Sequence, residues 1–244
     1  MESQIAFAAL LNRLFGPFVT AIMRAVHIEP YDPLHPITNA FSMEIAVFLL
    51  LLLFFILVRA SLNVEKPGSI QQIAEMIHGF VSDQADSVIG HGSQRYVVFV
   101  TCILIFILLC NTIGLIPGLV TPTAKATVPL GLALLTFAYY HYQGIREQGV
   151  LGHAKHFMGP IWWIAWLMVP IEIISHLARV LSLTARLYAN MFAGEMVTLV
   201  AFSMLPAILP VAPLGLHVGV ALIQAYIFML LSMIYIAEAA GHQH

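Results

Sequence analysis

The chain has 244 residues, of which 60% are hydrophobic and only 9% charged, whereas a soluble domain carries about a quarter of its residues as Asp, Glu, Lys and Arg. Ten Lys and Arg against twelve Asp and Glu leave a formal net charge of -2, so the sequence belongs in lipid and offers no basic surface for nucleic acid. Both cysteines, Cys102 and Cys110, lie inside one apolar run, where neither a disulfide framework nor a four-ligand metal site can be assembled; they read as packing residues, and no cofactor or metal is expected.

The first 26 residues contain apolar stretches, but Glu2 precedes them and Arg13 interrupts them. That departs from a basic segment, an apolar core and a small-residue cleavage site, so residues 1–39 read as a retained interfacial or extracytoplasmic segment and 40–244 as a single membrane domain. A helix needs about 20 apolar residues to cross a hydrocarbon core of about 30 Å. The first such run extends from Ala40 to Val58 with Glu44 near its start, and Arg59, Glu65 and Lys66 mark its exit into water. From Ser69 to Gly90, Ile70, Ile73, Ile77, Phe80, Val81 and Val88 alternate with Gln71, Glu75, Asp83 and Asp86, the pattern of an interfacial amphipathic helix. A second span runs from Tyr96 to Ile116 and stops at Gly114, Pro117 and Gly118. The third, Val128 to Tyr142, ends in Tyr139, Tyr140 and Tyr142, read as an interfacial belt. A short polar loop is expected from Gly144 to His156, followed by a long helix from beyond Pro160 to Leu205. Pro206 and Pro213 bracket a turn, and a final span covers Leu214 to Ala237.

The expected fold is an all-α integral membrane protein with about five transmembrane helices plus an interfacial amphipathic helix, its long tilted penultimate helix paired with the last. Arg59, Lys66, Arg95, Arg146 and Lys155 fall in loops on one side and Lys125 opposite. The positive-inside rule makes the first side cytoplasmic, with the N-terminus outside and the C-terminal tail inside. No internal repeat is visible, which weighs against an inverted-repeat transporter.

The long helix contains Glu172, His176, Arg179, Arg186, Asn190 and Glu195. Insertion scales charge about 2.5–3.5 kcal/mol for an Arg or Asp at a helix centre, so such groups normally face protein or water and mark an ion path. Glu172, Arg179 and Arg186 are seven apart and His176 follows Glu172 by four, which puts all four near one face. In the final span His217 and Gln224 are also seven apart. Two polar stripes that face each other imply a proton pathway. Several of these residues keep two readings: Arg179 as an ion-pair partner of Glu172, His176 as a packing histidine, His217 as an interfacial group, Gln224 as a helix-packing amide. Arg186 is different, since Leu181, Leu183, Leu187, Met191 and Phe192 surround it too far from either end for it to snorkel.

The run Ser182-Leu183-Thr184-Ala185-Arg186-Leu187-Tyr188-Ala189-Asn190-Met191-Phe192-Ala193-Gly194-Glu195 resembles the signature of the a subunit of F-type ATP synthases. The segments Asn111 to Gly118, Pro122-Thr123-Ala124 and Gln224-Ala225-Tyr226-Ile227-Phe228 resemble further motifs of that family in the same order, over roughly residues 35 to 240. Val180, where many members have proline, and Lys125, where an acidic or amide residue is common, depart from the pattern without touching the arginine motif.

The resemblance implies that Arg186 is the essential arginine that promotes proton release, with Glu195, His217, Gln224, Asn190, Glu172 and Ser182 along the proton path. Glu195 and His217 occupy a pair of positions that the family fills as Glu then His or the reverse. It also implies a non-catalytic, proton-translocating subunit that forms two half-channels against a rotating c-subunit ring. Its expected partners are that ring, b-type peripheral-stalk subunits, the remainder of the F1Fo complex and the lipid bilayer, in a bacterial plasma (inner) membrane. A proton-coupled secondary transporter and a structural membrane scaffold are the competing readings.

Overall fold

The structure is a computed structural model that describes residues 5–25, 36–63, 66–90, 92–116, 119–158, 165–204 and 211–240. Among the described residues seven α-helices run in order: α1 Ala6–Ala25, α2 Asn39–Ser61, α3 Ser69–Val88, α4 Gln94–Ile113, α5 Thr127–Met158, α6 Ala165–Met204 and α7 Val211–Ala239. A 3-10 turn, Pro122–Ala124, precedes α5, and no strand occurs among the described residues. The expected all-α membrane architecture is present, and the reasons lie in where the apolar side chains point.

Helix α2 is apolar on all sides. Ala40, Met43, Val47 and Leu51 turn inward at helical spacing, while Phe48, Leu49, Leu52, Leu53 and Ile56 stay exposed, which only a lipid environment tolerates. Thr38 caps it, its hydroxyl oxygen accepting from the Phe41 amide at 3.3 Å. Helix α3 shows the amphipathic pattern the sequence predicts: Val81 and Ala85 are buried while Ile73, Met76 and Phe80 are exposed. It returns along α2 and α4. Gly90 and Gly92, at φ 79 and 84, make the turn into α4, a backbone region that side chains disfavour.

Helix α1 is tied to the start of α2 by Asn12, whose side chain bonds the Ile37 carbonyl and amide, each at 2.9 Å. Among the described residues α1, α2, α4, α6 and α7 are long and apolar enough to cross a membrane. The number agrees with the sequence reading; α1 meets that criterion, whereas α5, whose polar second half lowers its hydropathy, packs along α6 and α7 and brings its far end back to the start of α4 through Arg95 and Glu147. In α5 the apolar part ends near Tyr142, and charged residues continue the same helix. The polar loop expected from Gly144 to His156 is therefore mostly helical. Arg146, Glu147 and Gln148 favour helix, and the break comes only at Gly149, at φ 71 and ψ 165.

Two more expectations change. Pro213 lies inside α7, not in a turn before it, because a helix's first turn has no use for the amide hydrogen that proline lacks; Pro206 and the expected junctions at Pro117, Gly118 and Pro160 fall outside the described residues. Of the tyrosine belt only Tyr142 faces outward, at 60% exposure. Tyr139 stacks on Phe99 with centroids 3.6 Å apart, and Tyr140 is fully buried.

The core forms where α4, α5, α6 and α7 converge around Ile107, Leu187, Met191 and Phe228, and continues among α3, α4, α5 and α7 around Tyr96, Tyr140, Met229 and Met233. Cys110 is fully buried in α4 and Cys102 partly so, both as free thiols. At the end of α4 the chain folds back so tightly that a β-carbon on Gly114 would stand 1.7 Å from Thr121 Oγ1 and 3.1 Å from its Cα. Gly114→Ala is expected to cost about 1–3 kcal/mol by overpacking. A lowered thermal midpoint of the detergent-solubilised protein is the predicted result, and an unchanged midpoint would rule out that close approach.

Candidate functional site

Helix α6 spans 40 residues, roughly 60 Å at 1.5 Å per residue, about twice the hydrocarbon thickness. It must tilt steeply to keep its apolar length in lipid, and it packs along α5 and α7 as it does so. Glu172, His176, Arg179 and Arg186 do not form one continuous stripe. A seven-residue step falls about 20° short of two full turns, so over two such steps the face rotates. Glu172 and Arg179 are half-buried and His176 is buried, but Arg186 emerges on the outward face. Beside Arg186 on that face stand Ser182, Ala185, Ala189 and Ala193, all exposed. No carboxylate among the described residues lies within ion-pair distance of Arg186.

The remaining polar groups separate into two clusters, one on each side of Arg186. Towards the C-terminal end of α6, Asn190 Nδ2 donates to Gln224 Oε1 at 2.9 Å, joining α6 to α7. His217 is buried at 4% exposure, and its ring lies flat against Gly194, where a β-carbon would meet three ring atoms at 3.1–3.3 Å. The absent side chain of Gly194 thus places His217 beside the backbone that carries Glu195. His217 Nε2 is buried with no hydrogen-bond partner among the described residues. Ala221 lies on the same α7 face, between His217 and Gln224; its carbonyl accepts from Asn111 Nδ2 at 3.2 Å, and Asn111 Oδ1 accepts from the Thr123 hydroxyl at 2.7 Å.

Towards the N-terminal end, Glu172 Oε1 and His176 Nε2 are 3.3 Å apart, and the other ring nitrogen, Nδ1, is 2.8 Å from the Tyr140 hydroxyl. Arg179 does not pair with Glu172. It donates to Glu238 Oε1 near the end of α7 at 2.7 Å and stacks over the Tyr235 ring at 5.1 Å. A small cavity is lined by Tyr140, Glu172, His176, Arg179, Tyr235 and Glu238. Nearby, Gln148 donates to the Ala239 carbonyl at 3.0 Å, and Arg95 pairs with Glu147, which fixes α4, α5 and α7 together at this end.

The structure thus brings Asn190 to Gln224 and His217 to the neighbourhood of Glu195, and it leaves Ser182 beside Arg186 on the open face. Sequence reasoning did not single out Asn111, Thr123, Tyr140 or Glu238. The first two lie in motif segments, where they offered a signal. Tyr140 was assigned to a belt, and Glu238 carried none, because Glu172 has the better spacing to Arg179 along the chain. No cluster of three or more potential metal ligands occurs among the described residues.

Such a fold and site define a polytopic helical membrane protein that carries ionisable side chains into the apolar layer and links them into strings on either side of one arginine. The family model for the ATP synthase A chain matches residues 40–237. The chain is 52% identical to ATP synthase subunit a of Koribacter versatilis over 244 residues, all of both chains. It is 43% identical to ATP synthase subunit a of Solibacter usitatus over 209 residues, 86% of this chain and 90% of the relative. Against ATP synthase subunit a of Helicobacter hepaticus identity is 44% over 174 residues, 71% and 77% of the two chains. The chain belongs to the ATP synthase A chain family, and its function is that of the family's proton-conducting membrane subunit.

Proposed function

We propose that Arg186 meets in succession the membrane carboxyl groups of a rotating ring of small c-type subunits, and that the two polar clusters are separate half-channels on either side of it. The observation that carries this reading is Arg186 itself: a guanidinium within a 40-residue apolar helix, on its outward face, without a carboxylate in reach among the described residues. At the centre of a membrane helix it costs about 2.5–3.5 kcal/mol, and an anion from another chain is what offsets that cost. Ala185, Ala189 and Ala193 leave room for a second helix to approach closely, the arrangement small residues provide between membrane helices.

Along α6, Glu195 is nine residues and His176 ten residues from Arg186, about 13–15 Å in each direction. A proton from the outer side passes Glu195 and His217, with Asn190 and Gln224 alongside, to a ring carboxylate. Once neutral, that carboxyl group can turn into lipid without the penalty of a buried charge. After nearly a full turn it releases the proton towards Glu172 and His176, and the bare carboxylate then passes Arg186, whose charge favours the ionised form. The distribution of Lys and Arg supports an exit on the cytoplasmic side of a bacterial plasma membrane with the N-terminus outside, and membership of the family supports a b-type stalk as second partner.

A secondary transporter needs a substrate cavity at the site, whereas the larger described cavity is apolar, lies among α2, α3 and α4, and does not include Arg186. Crosslinking tests the ring contact. In a chain free of Cys102 and Cys110, Ala189→Cys should form a disulfide with a cysteine placed beside the ring carboxylate, and Leu53→Cys on the lipid face of α2 should not. Bonding at both positions or at neither would sink the reading.

A further inference from the structure

The pairing of Arg179 has a consequence for the inner cluster. Glu172 and Arg179 are seven residues apart on α6, about 10 Å along the axis, and helical side chains lean towards the N-terminus, so Arg179 leans towards Glu172. Both line the same small cavity, with His176 between them. Left alone, a long cation and a carboxylate so placed would pair. In the structure they do not, because Glu238 holds the guanidinium on α7 at 2.7 Å, where the Tyr235 ring also supports it. Glu172 is left to His176, and His176 to the Tyr140 hydroxyl.

We propose that Glu238 is a positioning residue for proton release: by retaining Arg179 on α7 it keeps that charge off Glu172, which can then take protons from His176. The inference rests on the half-channel reading above. A proton that leaves His176 Nε2 for the Glu172 carboxylate is matched by one that Nδ1 takes from the Tyr140 hydroxyl, which is itself reprotonated from the side of the discharging ring carboxyl group, so that the imidazole stays neutral in its other tautomer. A guanidinium beside Glu172 would oppose this step, since an adjacent Arg favours the ionised carboxylate by about ten- to a thousandfold in proton affinity.

The test uses inverted membrane vesicles that contain the assembled complex, with ATP-driven acidification normalised to the amount of complex. Glu238→Gln should reduce pumping by about tenfold or more, because Arg179 is released to Glu172 and lowers its proton affinity, which hinders uptake from the cytoplasmic side in the ATP-driven direction as it hinders release in the other. Adding Arg179→Gln should restore at least half of the lost activity, although the ion pair is still absent. If the pair were only a clamp between α6 and α7, the double variant would be no better than Glu238→Gln. That result, or normal pumping by Glu238→Gln, overturns the proposal. Glu238→Ala with and without Arg179→Gln repeats the comparison should the amide impair assembly. Arg186→Ala serves as control: pumping by that variant would overturn the half-channel reading, whereas a dead Arg186→Ala beside a normal Glu238→Gln overturns this inference alone.

Discussion

Arg186→Ala is expected to abolish ATP-driven acidification of inverted vesicles and to open a passive proton leak across them. The two effects have one origin. The guanidinium stands on the outward face of α6 between two polar clusters, so a proton moving straight from the Glu195 side to the Glu172 side must pass a fixed positive charge. Coulomb repulsion in a medium of low dielectric makes that passage costly, and alanine removes the barrier. The same charge favours the ionised ring carboxylate, so its loss leaves the carboxyl group protonated and release fails. Arg186→Lys should fail as well. A compact ammonium on a flexible stem does not reproduce a planar fork that remains charged and meets successive carboxylates. Dye-monitored acidification and its decay after ATP removal report both effects, and normal pumping by the alanine variant would refute the mechanism.

Glu195→Gln and His217→Ala should each slow proton flux by about 100-fold, the lower end of the range that a positioned acid or base contributes, without dissociating the complex. His217 is buried against Gly194 with its Nε2 lacking a protein partner among the described residues. A buried polar atom left without a hydrogen bond costs about 1–3 kcal/mol, so the arrangement is expensive unless that nitrogen handles a proton or a water. Removing the imidazole relieves the cost, so His217→Ala should assemble well while conducting poorly. That separation of assembly from flux distinguishes a proton carrier from a packing histidine. Flux equal to wild type from pH 6 to 9 in both variants would remove the pair from the path.

Much of the fold was legible because lipid imposes a simple rule: backbone groups must be satisfied within a helix, and outward side chains must be apolar. The runs that became α2, α4, α6 and α7, and the amphipathic α3, follow from that rule alone. It failed where a helix leaves the apolar layer. Residues 144–156 looked like a loop because they are polar, but polarity reports the surroundings of a segment and not its backbone, and the helix continues to the break at Gly149. Tyr140 failed for a related reason, since a tyrosine near a span's end suits either an interface or a buried hydrogen bond, and only the position of His176 decides between them.

By itself the sequence determined the class of environment, the order of the helices and the presence of charges that lipid would not accept without a function; Arg186 in particular stood out from its neighbours alone. Tertiary structure decided which charges meet. Spacing along α6 offered Glu172 to Arg179, yet the folded chain gives Arg179 to Glu238 and Glu172 to His176, residues brought together across helices. It also decided that Arg186 faces outward, because α4, α5 and α7 pack against the side of α6 that carries Leu183, Leu187 and Met191 and leave the side with Arg186, Ala189 and Ala193 uncovered. Pairings along one helix follow from its period, whereas pairings between helices depend on tilt and packing, which arise only when the helices assemble.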